Sequence, residues 1–400
     1  MCTYRGALAF LMALVLPSLY STVQAQDGLK VSGYWQLYYQ LGERDAKLSV
    51  GDKRESSTDS YARLGIRRGR TKLSYSKGKA TGVLQLDFTE HGVELKDAYL
   101  RLALPALGGS SLQAGVFDRP FGHEISYSSS RRESPERALI TTTLFPNERD
   151  LGFMLTLTGG KGSAWNKLRL DAGLFAGQGI KRDVDSRLDF IGRLSTEHRL
   201  SDNWYLGGGA SWYYGAVYQT TPELYRIHGG SWSLDSRADN VGQYARRSYL
   251  GLDMQLRWTS PLGQTQLRGE WIWGQQPGSS TSSKSPNGSL QTSAMYLRPF
   301  SGGYAILSHS LGRSPLSLFA KYDWYDPNTA LAGDAIGTSF SSEADLAYQT
   351  LGLGALYQVT QAIRVTLYGE LVYNEKTQQI ERFAQDRRDN RLTLALQYKF

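Results

Sequence analysis

Residues 392–400 read Leu-Thr-Leu-Ala-Leu-Gln-Tyr-Lys-Phe. Leu392, Leu394, Leu396, Tyr398 and Phe400 share one face; Thr393, Ala395, Gln397 and Lys399 share the other. A period of two is the period of a β-strand, whose successive side chains point to opposite sides of the sheet. The pattern recurs upstream. Ile363, Val365, Leu367, Gly369, Leu371 and Tyr373 alternate with Arg364, Thr366, Tyr368, Glu370 and Val372. Leu316, Leu318, Ala320, Tyr322 and Trp324 alternate with Ser317, Phe319, Lys321, Asp323 and Tyr325. Leu168, Leu170, Ala172 and Leu174 alternate with Arg169, Asp171, Gly173 and Phe175.

Alternation fits a soluble sandwich, whose apolar faces share a core, or a membrane barrel, whose apolar face meets lipid while its polar face lines a lumen. Three features favour the barrel. The alternating segments are long enough to cross a bilayer when tilted, and longer than the ~5–6 residues usual in soluble sheets. Charges such as Arg169, Asp171, Asp253, Arg257, Arg268 and Glu270 sit in mid-strand on the polar face. Aromatics gather near segment ends, as in Tyr34-Trp35, Trp212-Tyr213-Tyr214 and Trp324-Tyr325, where interfacial girdles belong. The expected fold is all-β: a 16-stranded antiparallel transmembrane β-barrel with short periplasmic turns and long outer loops. Strands are predicted at 31–42, 61–75, 79–90, 93–104, 111–118, 149–158, 166–177, 187–199, 203–218, 245–259, 263–275, 301–312, 315–326, 344–358, 362–376 and 387–400. Connections alternate between short and long, with one brief join at His91-Gly92 where a long loop is due.

Composition agrees. The 400 residues are 40% hydrophobic with one Cys, 25 Tyr and 9 Trp. That excludes a polytopic helical membrane protein, a disulfide scaffold and a disordered chain. Residues 1–25 read as a secretory signal peptide: Arg5, then the apolar run 7–16, Pro17, and Val23-Gln24-Ala25 ahead of the expected cleavage point. Residues 26–400 are then one barrel domain without a Cys, suited to export through an oxidising periplasm to the outer membrane of a Gram-negative bacterium. Sixteen strands enclose more space than side chains fill, so an aqueous passage is expected.

Several motifs carry a resemblance. Arg63-Leu64-Gly65-Ile66-Arg67-Arg68-Gly69-Arg70 resembles a second-strand arginine motif, and Leu86-Asp87-Phe88 with Leu95-Lys96-Asp97-Ala98-Tyr99 resembles the following two strands of the same family. Ala114-Gly115-Val116-Phe117, Pro120-Phe121-Gly122 and Glu124 resemble the start of a constriction loop, and Pro146 with Arg149-Asp150-Leu151-Gly152 its exit. Tyr322-Asp323-Trp324-Tyr325-Asp326-Pro327-Asn328 is similar to a late-strand motif, and Phe400 to the terminal assembly signal of outer-membrane barrels. The chain is thereby similar to the phosphate-selective porin O/P family. The resemblance implies a homotrimer in outer-membrane lipid, passing small hydrophilic anions, with residues 119–150 folded into the lumen as a constriction loop. Members often carry a basic residue after the Phe that opens this loop; here Asp118 follows Phe117 and Arg119 comes next, so a weak, phosphate-like anion preference is expected.

That loop contains Arg119, Arg131, Arg132, Arg137 and Arg149 against Glu124, Glu133, Glu136, Glu148 and Asp150, five of each sign. An exposed, solvated outer loop is the competing reading. Alternation assigns Arg63, Arg67, Arg101, Arg169, Arg187, Arg193, Arg257, Arg268, Lys321, Arg364 and Lys399 to the lumen, with Asp87, Asp97, Asp171, Asp189, Asp253, Glu270, Asp323 and Glu370. Eleven against eight is a mild positive excess, which raises the local anion concentration. Arg67 and Arg68 cannot both face inward unless a bulge intervenes; otherwise Arg68 and Arg70 snorkel at an interface.

No enzyme reading stands out. The five His residues show no metal spacing, and no G-x-S-x-G elbow or P-loop occurs. His309 and its neighbours Ser308 and Ser310 point to opposite faces of a strand. Asp323, Asp326, Asn328 and Asp334 offer oxygen ligands of the kind Ca²⁺ takes, but Asp326-Pro327-Asn328 reads more simply as a turn leaving a strand. No cofactor, metal or nucleic-acid partner is implied. Two functions remain: a passive diffusion channel, and a structural or adhesive barrel that binds a partner through its long loops.

Overall fold

Sixteen strands close into a single antiparallel ring in the computed structural model, which describes residues 28–52, 59–160, 162–163 and 165–400. The expected signal peptide lies outside the described residues. The ring runs β1 (Gly28–Glu43), β2 (Ser60–Lys77), β3 (Ala80–Thr89), β4 (Gly92–Leu104), β5 (Ser110–Asp118), β6 (Arg149–Thr158), β7 (Leu168–Phe175), β8 (Asp189–Arg199) and β9 (Trp204–Tyr218). It continues through β12 (Tyr244–Ser260), β13 (Gly263–Gly278), β14 (Met295–Leu311), β15 (Leu316–Asp326), β16 (Tyr348–Gln358), β17 (Ile363–Asn374) and β18 (Arg391–Lys399), which pairs with β1. The closing register, Tyr34↔Lys399 to Gly42↔Arg391, leaves the ring of sixteen strands without a free edge. Among the described residues the one α-helix, α1 (Leu139–Leu144), has six residues, and no helix among them is long and apolar enough to cross a membrane.

Each strand separates an apolar outer face from a more polar inner one. On β1 and β18, Leu37, Tyr39, Leu41, Leu392, Leu394 and Leu396 are exposed outward while Gln36, Gln40, Thr393 and Gln397 are buried within. Leu64 and Leu100 are each 68% exposed on the outer wall. A continuous belt of exposed Leu, Phe and Tyr is unstable in water and stable in hydrocarbon. Short turns gather at one end of the barrel (78–79, 200–203, 261–262, 312–315, 359–362) and long connections at the other (44–59, 119–148, 176–188, 219–243, 279–294, 327–347, 375–390); the two-residue join 90–91 lies at the long-loop end.

Several boundaries differ from the alternation by two to six residues, and three differences have a visible cause. Residues 219–243 are not irregular but contain a hairpin, β10 (Glu223–His228) and β11 (Ser231–Ser236). β14 begins at Met295 rather than 301, because its extension pairs in parallel with β10 through Leu224↔Met295, Tyr225↔Tyr296 and Arg226↔Leu297. Beyond the lipid belt the pattern that marks a strand no longer applies: here packing decides, with Tyr225 stacked on Tyr296 at 4.3 Å and both buried with Trp232, Leu331, Ile336, Leu346 and Phe383. The penultimate pair also starts later, at Tyr348, since Ser342 and Asp345 cap a 3₁₀ turn in front of it.

Candidate functional site: the barrel interior and the loop that crosses it

Residues 119–148 leave β5, cross the interior and return to β6, touching opposite walls. Toward β1, β2 and β18, the Tyr34 and Ser129 hydroxyls meet at 2.5 Å, Tyr38 Oη donates to Pro135 O at 3.1 Å, and Gln397 Nε2 donates to Ser130 O at 3.2 Å. Toward β9 and β13, Gly122 N donates to Ser211 Oγ at 2.9 Å, and the amides of His123 and Glu124 both donate to Glu270 Oε2 at 3.1 Å. The loop presses this close because position 122 is glycine: its φ is +62°, and a Cβ there would meet Glu270 Oε1 at 1.7 Å. At the loop's exit Asn147 and Glu148 adopt positive φ of 62° and 67°, which costs an L-residue roughly 1–2 kcal/mol each. The Glu148 carboxylate, bonded to both Arg137 and Arg149, holds that conformation.

One half of the interior is dry. Phe121, Ile125, Ile140, Leu144 and Phe145 of the loop are buried against inward residues of the wall, among them Phe117, Phe175, Ile191, Tyr213, Tyr249, Ile272, Phe300 and Phe319. Phe145 lies 5.0 Å from Phe121 and 5.7 Å from Tyr249, ring centre to ring centre. Burial of each such side chain is worth roughly 1.5–3 kcal/mol, so this packing fixes the loop more firmly than any single polar contact. The other half is open and lined by charged and polar groups. A cavity of about 250 Å³ lies between the loop and the β1–β6 and β18 wall, lined by Tyr34, Arg70, Lys72, Asp97, Arg137, Arg149 and Lys399 among others.

The charges of the loop are nearly all engaged. Arg119 donates to Asp150 at 3.0 Å, and Arg137 bonds Glu148. Arg149 reaches Asp97 and Asp118, each at 3.1 Å. Glu133 receives Arg268 from β13. Glu124 takes the Ala138 amide at 3.1 Å and the Thr141 hydroxyl at 2.6 Å. Glu136 takes Arg67 at 2.6 Å and Arg68 at 2.8 Å. Both arginines reach it because the β1–β2 register shifts between Gln36 and Leu37: Arg67 is the extra residue of a β-bulge, which turns Arg67 and Arg68 to the same side. The structure thus decides for the bulge over the interfacial alternative. Burial alone would lift the Glu136 carboxyl, but Arg67 and Arg68 override it and hold the group well below the usual carboxylate range. Arg131 is exposed, with its guanidinium 5.6 Å from the Tyr127 ring centre, and Arg132 is buried; neither has a carboxylate at ion-pair distance among the described residues.

On the walls, Asp87 pairs with Arg70, Asp97 with Arg149, Asp171 with Arg169, Asp189 with Arg247, Asp253 with Arg193, Asp323 with Lys321 and Glu370 with Arg391. Glu270 is taken by the loop amides. Several inward cations have no such match: Arg101 donates to Gln113 at 2.7 Å, Arg364 to Gln397 at 3.2 Å, and Arg257 stacks 4.5 Å from the Tyr205 ring centre. Lys72 and Lys399 line this cavity with no carboxylate at ion-pair distance among the described residues. Arg63 stands near the long-loop rim, donating to Ala62 O at 2.8 Å. Arg247 and Lys72 were not singled out by the sequence: Arg247 occupies an inward position of a strand whose phase was legible, whereas Lys72 faces inward only because the bulge at Arg67 reverses the phase of β2. Asp326 accepts the Asn328 amide at 2.9 Å as in an Asx turn, and no group of three metal-ligating residues occurs among the described residues.

Comparison with known proteins gives likeness at the level of fold. No protein-family model matches the chain, and no curated protein matches its sequence. Among solved structures, the outer-membrane channel DcaP of Acinetobacter baumannii is 12% identical with a TM-score of 0.56, over 95% of this chain and 99% of that one. OmpF of Salmonella typhi, in complex with daunomycin, is 12% identical with a TM-score of 0.55, over 94% and 98%. The trimer form of Vibrio cholerae OmpT is 10% identical with a TM-score of 0.53, over 94% and 100%. The barrel is therefore porin-like in architecture.

Proposed function

We propose that this chain is a porin of a Gram-negative outer membrane: a passive diffusion channel for small hydrophilic solutes, constricted by residues 119–148, with a weak preference for phosphate-like anions. The barrel sits with its short turns toward the periplasm and assembles as a homotrimer, as the solved OmpT trimer and the motif resemblance to phosphate-selective porins suggest. One observation carries the anion preference. Every inward carboxylate assigned from the alternation is matched by an arginine, a lysine or backbone amides, whereas Arg101, Arg131 and Arg257 have no carboxylate at ion-pair distance among the described residues, and Lys72 and Lys399 line the cavity beside the β1–β6 and β18 wall without one. Matched pairs brace the wall and add little net field; the unmatched cations concentrate anions. Solutes would pass on the wet side, between the loop and the β1–β6 wall, because the opposite side is packed. The test is a reversal potential in planar bilayers under a KCl gradient, for the native chain and for Lys72→Glu with Lys399→Glu. The native chain should show an anion-shifted potential that the double variant moves toward the cation side; an unshifted native potential, or no response to the double variant, refutes the preference.

A further inference from the structure

Two arginines stand on the outer wall near the long-loop end of β8, β9 and β12. Arg246 is exposed on the outward face of β12, in phase with Leu250 and Leu252. Its guanidinium lies 5.4 Å from the ring centre of Tyr214, which is 51% exposed on β9. Arg187 lies 5.9 Å from the same ring and 5.4 Å from that of Tyr244. The alternation assigned Arg187 to the lumen; it precedes the first residue of β8, where no pleat fixes its direction, and it reaches outward instead. Tyr244 meets Tyr218 edge-on at 5.5 Å, so three rings share the outer face with both guanidiniums.

The strand sets the height of this cluster. Along the outward face of β12 come Leu250, Leu252 and Met254, each about half exposed, and then Trp258, stacked on Trp204 at 5.8 Å at the short-turn end. From Arg246 to Trp258 the strand rises roughly 40 Å, or ~28–33 Å along the barrel axis at a tilt of ~35–45°. The apolar band of outer-membrane barrels is ~25 Å tall. With the Trp pair at one boundary of the hydrocarbon, Arg246 stands just beyond the other, among lipid headgroups. Neither arginine side chain donates a hydrogen bond or meets a carboxylate at ion-pair distance among the described residues. Asp185 is taken by the Arg187 amide and by Gln178 Nε2. A ring satisfies the flat face of a guanidinium and leaves its N–H edge free. That edge matches phosphate oxygens.

We propose that Arg187 and Arg246, held on the Tyr214 and Tyr244 rings, bind the phosphate of an outer-leaflet lipid, a phosphorylated glycolipid whose acyl chains lie along Leu250, Leu252 and Met254. The positive charge faces the headgroup level, where lipid supplies an anion, and the apolar strip below it receives the chains. The inference rests on the reading of the chain as an outer-membrane barrel and not on its conducting.

The folded barrel in detergent is titrated with diphosphorylated lipid A and with lipid A stripped of its phosphates, and bound lipid is counted by native mass spectrometry. The native chain should hold the phosphorylated form at least tenfold more tightly, and Arg187→Gln with Arg246→Gln should lose that preference. A lipid anchored by its acyl chains does not enter the lumen, so the inward cations do not mimic the result. Excess inorganic phosphate separates the two sources of the anion: retention of the lipid is expected, and its full displacement marks a site for free phosphate and overturns the proposal. Equal binding of both lipids by the native chain, or an undiminished preference in the double variant, overturns it too. Should the double variant fail to fold, Arg246→Gln alone, a change at an exposed side chain, is read in its place. Insertion into neutral phosphatidylcholine vesicles keeps the two readings apart. A barrel that inserts there but shows no lipid preference sinks the site alone, whereas one that stays in water sinks both.

Discussion

Replacing Glu136 with glutamine strikes the point where the loop is tied to the arginine bulge. The carboxylate is shared by Arg67, whose side chain is 31% exposed, and Arg68, which is 3% exposed. The first bond is largely screened and contributes about 0.5–1 kcal/mol. The second is a buried charge-assisted bond worth about 1.5–3 kcal/mol. Together they give ~2–4 kcal/mol, or roughly 30- to 1,000-fold in the balance between anchored and released states of this edge. The amide keeps part of the hydrogen bonding, so the lower end is expected. The rest of the loop stays seated, because its aromatic side and the Glu270 contact are untouched. The single-channel consequence is twofold. Two guanidiniums lose their counter-charge, so the reversal potential in a KCl gradient shifts further toward anions; the loosened edge adds fluctuation to the open-channel current. A variant with native reversal potential and native current noise would refute the reasoning that this ion-pair cluster holds the edge of the constriction loop and balances the two guanidiniums.

Phe145→Ala removes a fully buried ring from the dry side of the interior and should cost about 3–5 kcal/mol; denaturant unfolding in detergent should register it, with a larger and noisier conductance. Arg131→Glu changes an exposed side chain that rests on the Tyr127 ring, so stability should move by less than ~0.5 kcal/mol while selectivity shifts toward cations; a measurable stability loss with unchanged selectivity would contradict its placement. Acid should destabilise the loop in two stages. Burial pushes His123 down from 6.5 to about 4, so the unfolded chain binds its proton first, and stability falls as pH drops from about 6.5 toward 4. Glu136, depressed below its ordinary 4.5, contributes stability that is complete above that value and is lost as pH falls further toward the folded value. His123→Gln should remove the first stage and spare the second.

The ring of strands was legible because a bilayer forces a period of two on every membrane-crossing segment. Where that force ends, legibility ended. The β10–β11 hairpin and the start of β14 lie beyond the belt, and the run Met295-Tyr296-Leu297 is apolar on both faces because both faces are packed. The dry half of the interior was missed for a related reason. Inner faces were read as polar, yet Phe319 stands among Ser317, Lys321 and Asp323 on the inner face of β15, and Ile191 beside Asp189 and Arg193 on that of β8. Those large apolar residues at inward positions were the available signal that something greasy, the Phe121–Phe145 side of the loop, packs within. Charge counting also misjudged roles. Arg119 was expected at the constriction, but it is 2% exposed against Asp150 and braces the loop's root. Arg169 and Asp171 neutralise each other. Five charges of each sign summed to zero on paper; pairing to the walls, through Arg67, Arg68, Arg268 and Asp97, leaves Arg131 and Arg132 over. Alternation tells which way a side chain points and not which partner it meets.

The most direct measurement is the current through purified, folded protein inserted into a planar bilayer. Stepwise, ohmic conductance that grows with salt activity is the result required of a channel with a wet passage beside a fixed loop. Inserted barrels that remain electrically silent, with the loop contacts intact in the same preparation, would contradict it and favour a closed barrel that works through its outer loops.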